Sequence, residues 1–213
     1  TLGSVLTLGD ELGRRMGHSY MVDFGHMASD LATFGALSRP WDTLPPTLIS
    51  RTFGYFDVEH FVPDRWKSEY SNAAFTRMTE RDAAWMARIL ARLSPKTIRI
   101  LSTMGDLTDA RDAEYLARVL EGRLQRILDR YLTRLSPIAD VRVEGDAVCG
   151  VDLAALRAVR PAARFRFRAA SWEGAALAVQ TRPGAEVCAT LPHVAPDGGA
   201  PDDAPSRYVR ARI

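Results

Sequence analysis

Apolar residues recur at spacings of four and three from Tyr20 through Phe24, Met27 and Leu31 to Phe34, one stripe of a helix that Gly35 stops. Before it, Thr1 to Gly17 is punctuated by Gly3, Gly9, Gly13 and Gly17 and reads as loop. After it, from Ala36 to Thr79, the periodicity breaks. Pro40, Pro45, Pro46 and Pro63 forbid a long helix there, while five aromatics between Trp41 and Phe61 need burial. Linkers are not rich in Trp and Phe, so the stretch predicts an ordered, wrapping connection, with Trp41, Phe53, Phe56, Phe61 and Trp66 packed onto helices.

The pattern turns helical again at Thr79-Glu80-Arg81-Asp82, a capping box with Asp in place of Glu. The helix behind it is expected to turn Met86, Ile89, Leu90 and Leu93 inward, with Trp85 at the edge. Ser94-Pro95 supplies a cap and a proline for a short helix burying Ile98, Leu101 and Met104, which Gly105 stops. Thr108-Asp109 starts the longest helix, with Leu116, Leu120, Leu124, Ile127, Tyr131 and Leu135 on one face, and Ser136-Pro137 ends it. Short turns between the three predict an antiparallel bundle in which Met86, Ile89, Leu101, Leu120, Leu124 and Ile127 are mutually buried.

Beyond Ile138 the period becomes two. Val141-Arg142-Val143, Arg164 to Arg168, Leu177-Ala178-Val179, Val187-Cys188-Ala189 and Tyr208 to Ala211 alternate, with turns at Glu144-Gly145-Asp146 and Pro183-Gly184. Pro192 to Ser206 reads as a loop. The expected fold class is α+β: a helical lobe over 1–138, then a small antiparallel β module over 139–213. The chain opens without Met and stops inside an apparent strand, so truncation at both ends is expected, with an edge after Ile213 open to self-association. No fixed-period repeat is present, which disfavours a solenoid.

At 213 residues and 46% hydrophobic, the chain can bury a core, and no apolar run reaches the ~18 residues of a membrane span. Only Lys67 and Lys96 of the 28 basic residues are lysines, a bias that suggests a GC-rich bacterial genome. The net charge of +2 is too mild for a nucleic-acid or membrane-surface footprint. Cys149 and Cys188 fit no zinc spacing and cannot close a four-ligand site without histidines; two small buried thiols are expected unless the chain is exported, where a disulfide is open to them.

Aromatic punctuation also carries a resemblance. Arg39-Pro40-Trp41, Phe53-Gly54-Tyr55-Phe56-Asp57, Phe61-Val62-Pro63-Asp64-Arg65-Trp66, Tyr70 to Phe75 and Asp82 to Arg88, with Thr1-Leu2-Gly3-Ser4 ahead of them, resemble in order and spacing a family of uncharacterised, exported bacterial proteins with a kinase-like layout. The resemblance covers roughly Thr1 to Ser136. In that family a His-Asp-Asp and an Asp-Phe-Gly segment lie upstream of the Thr-Leu-Gly-Ser, and both are missing here. The resemblance therefore implies the helical C-terminal lobe of an atypical kinase-like protein, its catalytic loop absent, followed by an accessory β module. It implies export to the periplasm or cell envelope, and phosphotransfer for the parent protein only. The competing reading is a non-enzymatic cell-envelope module binding a protein or glycan.

Candidate chemistry does not change that picture. Asp23-Phe24-Gly25 spells the kinase metal-binding triplet, but no catalytic-loop Asp and Asn precede it, and the chain's one asparagine is Asn72. Phe24 belongs to the helical stripe, which places Asp23 mid-helix, and the match reads as coincidence. His18, Asp23, His26 and Asp30 could be drawn together as metal ligands, but a polar stripe opposite an apolar one is what any amphipathic helix shows. His60 and His193 stand alone and read as surface or turn residues. Arg164-Phe165-Arg166-Phe167-Arg168 alternates as single-strand binders do, and also as a half-buried strand does, Phe in and Arg out, which is the reading preferred. The glycines of the first turn lack a Gly-Lys-Ser/Thr, and Ser4 lacks a partnered base. The expected set of catalytic, cofactor-binding and metal residues is none, with no cofactor in this chain and a protein partner or self-association as the open possibilities.

Overall fold

A computed structural model describes residues 13–39, 52–68, 70–159, 167–171, 174–191 and 211–212. Helices come first: α1 Phe24–Ala32, α2 Ala73–Thr76, α3 Glu80–Leu90, α4 Pro95–Thr103 and α5 Ala110–Leu132. Strands follow: β1 Ile138–Glu144, β2 Ala147–Asp152, the single turn α6 Leu153–Leu156, then β3 Ala169–Ser171, β4 Ala176–Leu177, β5 Val179–Arg182, β6 Glu186–Thr190 and β7 Ala211–Arg212. The fold is α+β. The chain divides into two compact units, Thr1–Arg130 and Tyr131–Ile213. Among the described residues, no helix is long and apolar enough to cross a membrane.

Local signals set the helix ends. The Thr79 side chain accepts from Asp82 N while Asp82 accepts from Thr79 N, a complete capping box at α3. Ser94 caps α4 through Thr97 N, with Pro95 at the first helical position. Asp109 accepts from Arg111 N at the start of α5. α1 ends in a Schellman arrangement, Gly35 N donating to Asp30 O at 2.8 Å and Phe34 N to Leu31 O at 3.4 Å. Phe34 takes the left-handed conformation (φ 52) that glycine usually fills there.

The helix faces differ from expectation. Met86, Ile89, Leu101, Met104 and Leu120 are exposed, as is Trp85. Ile98 and Leu124 are buried as expected, but the other buried positions are Ala83, Ala84 and Ala87 on α3 with Ala91 just after it, Ser102 on α4, and Ala113, Ala117 and Leu128 on α5. Alanine at spacings of four lets a helix backbone lie close to its surroundings, where a methionine or isoleucine would hold it away. The stripe of α1 also faces out, and Asp23 is the cap of that helix rather than a mid-helix residue.

The connection after α1 is ordered where described, and α5 holds it. The Phe53 ring stacks 6.1 Å from Tyr115, and Tyr115 Oη donates to Phe56 O at 2.8 Å. Arg123 Nε donates to Asp57 O at 2.6 Å, and Arg126 Nη1 donates to Glu59 O and Phe61 O at 3.0 and 2.9 Å. Arg130 pairs with both Asp64 and Glu80. These donors follow one another along a single helix and satisfy carbonyls that no strand or helix serves. Gly122 makes room for the Val58 side chain against α5: a Cβ there would stand 2.6 Å from Val58 Cγ2. Phe61 is buried, Phe53, Phe56 and Trp66 are half-buried, and Trp66 meets Phe75 edge-on at 5.1 Å. Trp41 lies outside the described residues.

In the second unit, β1-β2-β6-β5 form a four-stranded antiparallel sheet and β4-β3-β7 a three-stranded one, with β7 at an edge. β1 and β2 are joined by Gly145-Asp146, Gly145 supplying the positive φ that a two-residue hairpin needs. β1 carries an irregularity between Ala139 and Arg142, at Asp140 with φ 51. Cys149 and Cys188 are disulfide-bonded, which corrects the expectation of two separate thiols. Phe165, Arg164 and Arg166 lie outside the described residues, while Phe167 is half-buried and Arg168 exposed.

Candidate functional site

Three clusters bear on function, and the first is built on α1. The residue order Asp23, His26, Asp30 puts three polar side chains on one face of the helix. Asp23 Oδ1 accepts from His26 N at 3.2 Å, and its Oδ2 takes Lys67 Nζ at 2.5 Å, a residue that also lies 5.2 Å from the centre of the Tyr20 ring. Asp30 pairs with Arg39 at 2.6 Å, both side chains about nine-tenths buried. Burial opposes the charge of Asp23, yet the bonds from Lys67 and the His26 backbone outweigh it and hold the carboxyl below its ordinary range. Ser19, fully buried, lies 3.2 Å from His26 Nδ1, and Asp23 Oδ2 lies 3.8 Å from that same nitrogen. A serine relay needs the two partners on opposite ring nitrogens, so this trio positions the helix and does not activate Ser19. Asp23 of Asp-Phe-Gly is thus capped, paired and committed to structure.

The opposite face of α1 is apolar and open. Phe24 is 77% exposed, Leu31 79% and Phe34 97%, with Met27 between them, and no apolar residue of the helix is buried. Most surface helices turn their apolar stripe inward. α1 is mounted the other way round, its charged side pinned and its hydrophobic side presented.

The second cluster gathers around Asp57. This buried carboxylate accepts from His60 N at 3.2 Å and bonds His60 Nδ1 closely, fixing the 57–60 turn. A proton on Nδ1 leaves the lone pair on Nε2, the form suited to a base or a metal ligand. Burial lowers the His18 imidazole below its ordinary value, against a bond to the His60 backbone that raises it. Arg123 sits 3.8 Å from the Phe56 ring centre and 4.8 Å from that of Phe61, and this burial lowers its affinity for a proton. His60 is therefore not solitary, as its sequence neighbourhood suggested. Its Asp lies three residues back, brought to it by the 57–60 turn.

The third cluster is the charged face of the four-stranded sheet. Arg142, Glu144, Arg182 and Glu186 form a closed ring in which each arginine contacts both glutamates. Beneath it lie Cys149 and Cys188, both buried. Cys188 Sγ is 3.8 Å from Glu186 Oε2 and Arg182 Nη1 is 3.9 Å from Cys149 Sγ. The structure does not draw His18, Asp23, His26 and Asp30 into one metal-binding group. Among the described residues, the group of three metal-capable side chains that converges is Cys149, Glu186 and Cys188, its donor atoms within 4.8 Å of one another. Sequence spacing could not show it, because strand register brings together cysteines 39 residues apart. No protein-family model, curated protein or solved structure matches this chain.

Proposed function

We propose that this chain is a non-catalytic interaction module of the bacterial cell envelope, whose helix α1 docks a protein partner. The observation that carries the reading is the reversed mounting of α1, with Phe24, Met27, Leu31 and Phe34 facing out while Asp23 and Asp30 are pinned by Lys67 and Arg39. These four side chains offer on the order of 500 Å² of apolar surface, the scale of patches that mark interaction sites. A glycan platform needs polar groups between its aromatic faces, and this stripe has none, so a polypeptide with an apolar groove or helix face is the favoured partner. The disulfide supports an oxidising compartment.

The kinase-like reading has one supporting observation: the helical unit closes at Arg130, close to where the family resemblance fades. In that reading, the apolar face packs against a catalytic half belonging to the parent protein. Both readings leave the chain itself without phosphotransfer.

A photo-crosslinking residue placed at Leu31 in the producing bacterium tests the proposal. One discrete protein adduct is expected there, absent from the same probe at Arg99 and lost when Phe24→Asp is added. An exported, folded protein giving no adduct at Leu31, or the same adducts at both positions, overturns it.

A further inference from the structure

The charged face of the β unit carries a second chemistry, independent of the docking helix. Cys149 and Cys188 stand in direct register on β2 and β6, so breaking their bond leaves two sulfurs on one face of a sheet that five paired positions hold in place. A tetrahedral zinc ion, with bonds of about 2.3 Å to sulfur and about 2.0 Å to a carboxylate oxygen, needs a sulfur–sulfur separation of about 3.8 Å and a sulfur–oxygen separation of about 3.5 Å. The distance from Cys188 Sγ to Glu186 Oε2 is already 3.8 Å, and all three donor atoms lie within 4.8 Å of one another. A side-chain rotation at either cysteine opens the sulfur pair to the required span.

Of the trio's two arginine neighbours, one orients the carboxylate and the other competes for the position an ion would take. Arg142 holds the other oxygen of Glu186, Oε1, leaving Oε2 toward the sulfurs. Arg182 Nη1 stands 3.2 Å from Glu144 Oε2, 3.4 Å from Glu186 Oε2 and 3.9 Å from Cys149 Sγ. A cationic nitrogen thus occupies the position that two carboxylates and a sulfur favour for positive charge.

We propose that reduction of the Cys149–Cys188 disulfide creates a binding site for a thiophilic divalent cation, zinc before magnesium or calcium, held by both sulfurs and Glu186 with water as fourth ligand. A phosphine or dithiol reductant supplies two electrons; the S–S bond breaks, and each sulfur takes one proton. Binding of the ion then releases both protons as the two thiolates bond to it. Soft sulfur ligands select zinc over the hard cations, and three protein ligands leave the coordination open. The oxidised chain has no thiolate to offer, so the disulfide gates the site.

The test uses the full chain, reduced with a phosphine, freed of it without oxygen, and titrated with zinc against a chromophoric chelator. The reduced protein is expected to take up about one equivalent and the oxidised protein none, with cobalt giving a thiolate charge-transfer band on the reduced form. Glu186→Gln should weaken zinc binding at least roughly tenfold. Arg182→Gln should tighten it, by removing the competing cation. Zinc binding no tighter than in the Cys149→Ser/Cys188→Ser double variant overturns the proposal, as does affinity unchanged by Glu186→Gln. Amide exchange of β2 and β6 is followed throughout; loss of their protection on reduction, with zinc failing to restore it, also overturns it.

Discussion

Lys67 Nζ reaches Asp23 Oδ2 at 2.5 Å across 44 residues and, with Arg39 on Asp30, holds the charged side of α1. Asp23 is both the helix cap and one end of the tether, so it ties the helix start to Lys67, while Asp30 with Arg39 holds the same face further along.

Replacing Asp23 by Ala should destabilise α1 by about 1–2 kcal/mol, the range for losing a cap, and more where the Lys67 tether adds to it. Faster amide exchange over 24–32 with α3 to α5 unaffected is the expected signature. Because the Asp23 pKa is lowered in the folded chain, its contribution is present above the unfolded carboxylate range and lost as pH falls through the folded value. Exchange at α1 should therefore quicken in acid before the rest of the unit responds.

His18 acts in the same direction at higher pH. Its folded pKa lies below the ordinary 6.5, so the unfolded chain binds the extra proton first and stability falls as pH drops below that value. Urea midpoints measured at about pH 7.5 and about pH 5.5 should differ in the wild type and converge in His18→Asn. An unchanged difference in the variant would falsify the assignment.

Gly122→Leu should detach the aromatic connection from α5, since even a Cβ at this position would meet Val58 at 2.6 Å. Overpacking of this kind costs about 1–3 kcal/mol. Loss of amide protection at Phe56 and Phe61, with α5 still helical by circular dichroism, distinguishes detachment from unfolding.

The double variant Cys149→Ser/Cys188→Ser should lower the stability of the β unit by about 2–4 kcal/mol, the range for a cross-link closing a loop of this length. Denaturant titration followed by amide exchange at β2 and β6 measures it, with the helical unit as internal reference.

Much of the fold was legible because capping is local. Thr79 with Asp82, Ser94 with Pro95, and Gly145 in its hairpin all fix their conformations within a few residues, and each stands where its chemistry placed it. The buried faces were not legible. Both the alanine and the large-residue stripes of α3 have helical period, and only the surroundings decide that Ala83, Ala87 and Ala91 go in while Met86 and Ile89 stay out. Arg123 and Arg126 read as compositional bias because their partners are backbone carbonyls, which leave no trace in sequence. Cys149, Glu186 and Cys188 meet through strand register, a relation that spacing along the chain does not encode.

The arginine-to-carbonyl bonds along α5 have a consequence for how the chain can change over time. A carbonyl oxygen is the same whichever residue carries it, so the bond from Arg126 to position 59 makes no demand on the side chain there. Exposed Glu59 is free to drift, whereas Tyr115, Arg123 and Arg126 each hold bonds that shorter or apolar side chains cannot make. Variation should therefore be tolerated at Glu59, and be scarce at Tyr115, Arg123 and Arg126 and at the buried Asp57 and Phe61.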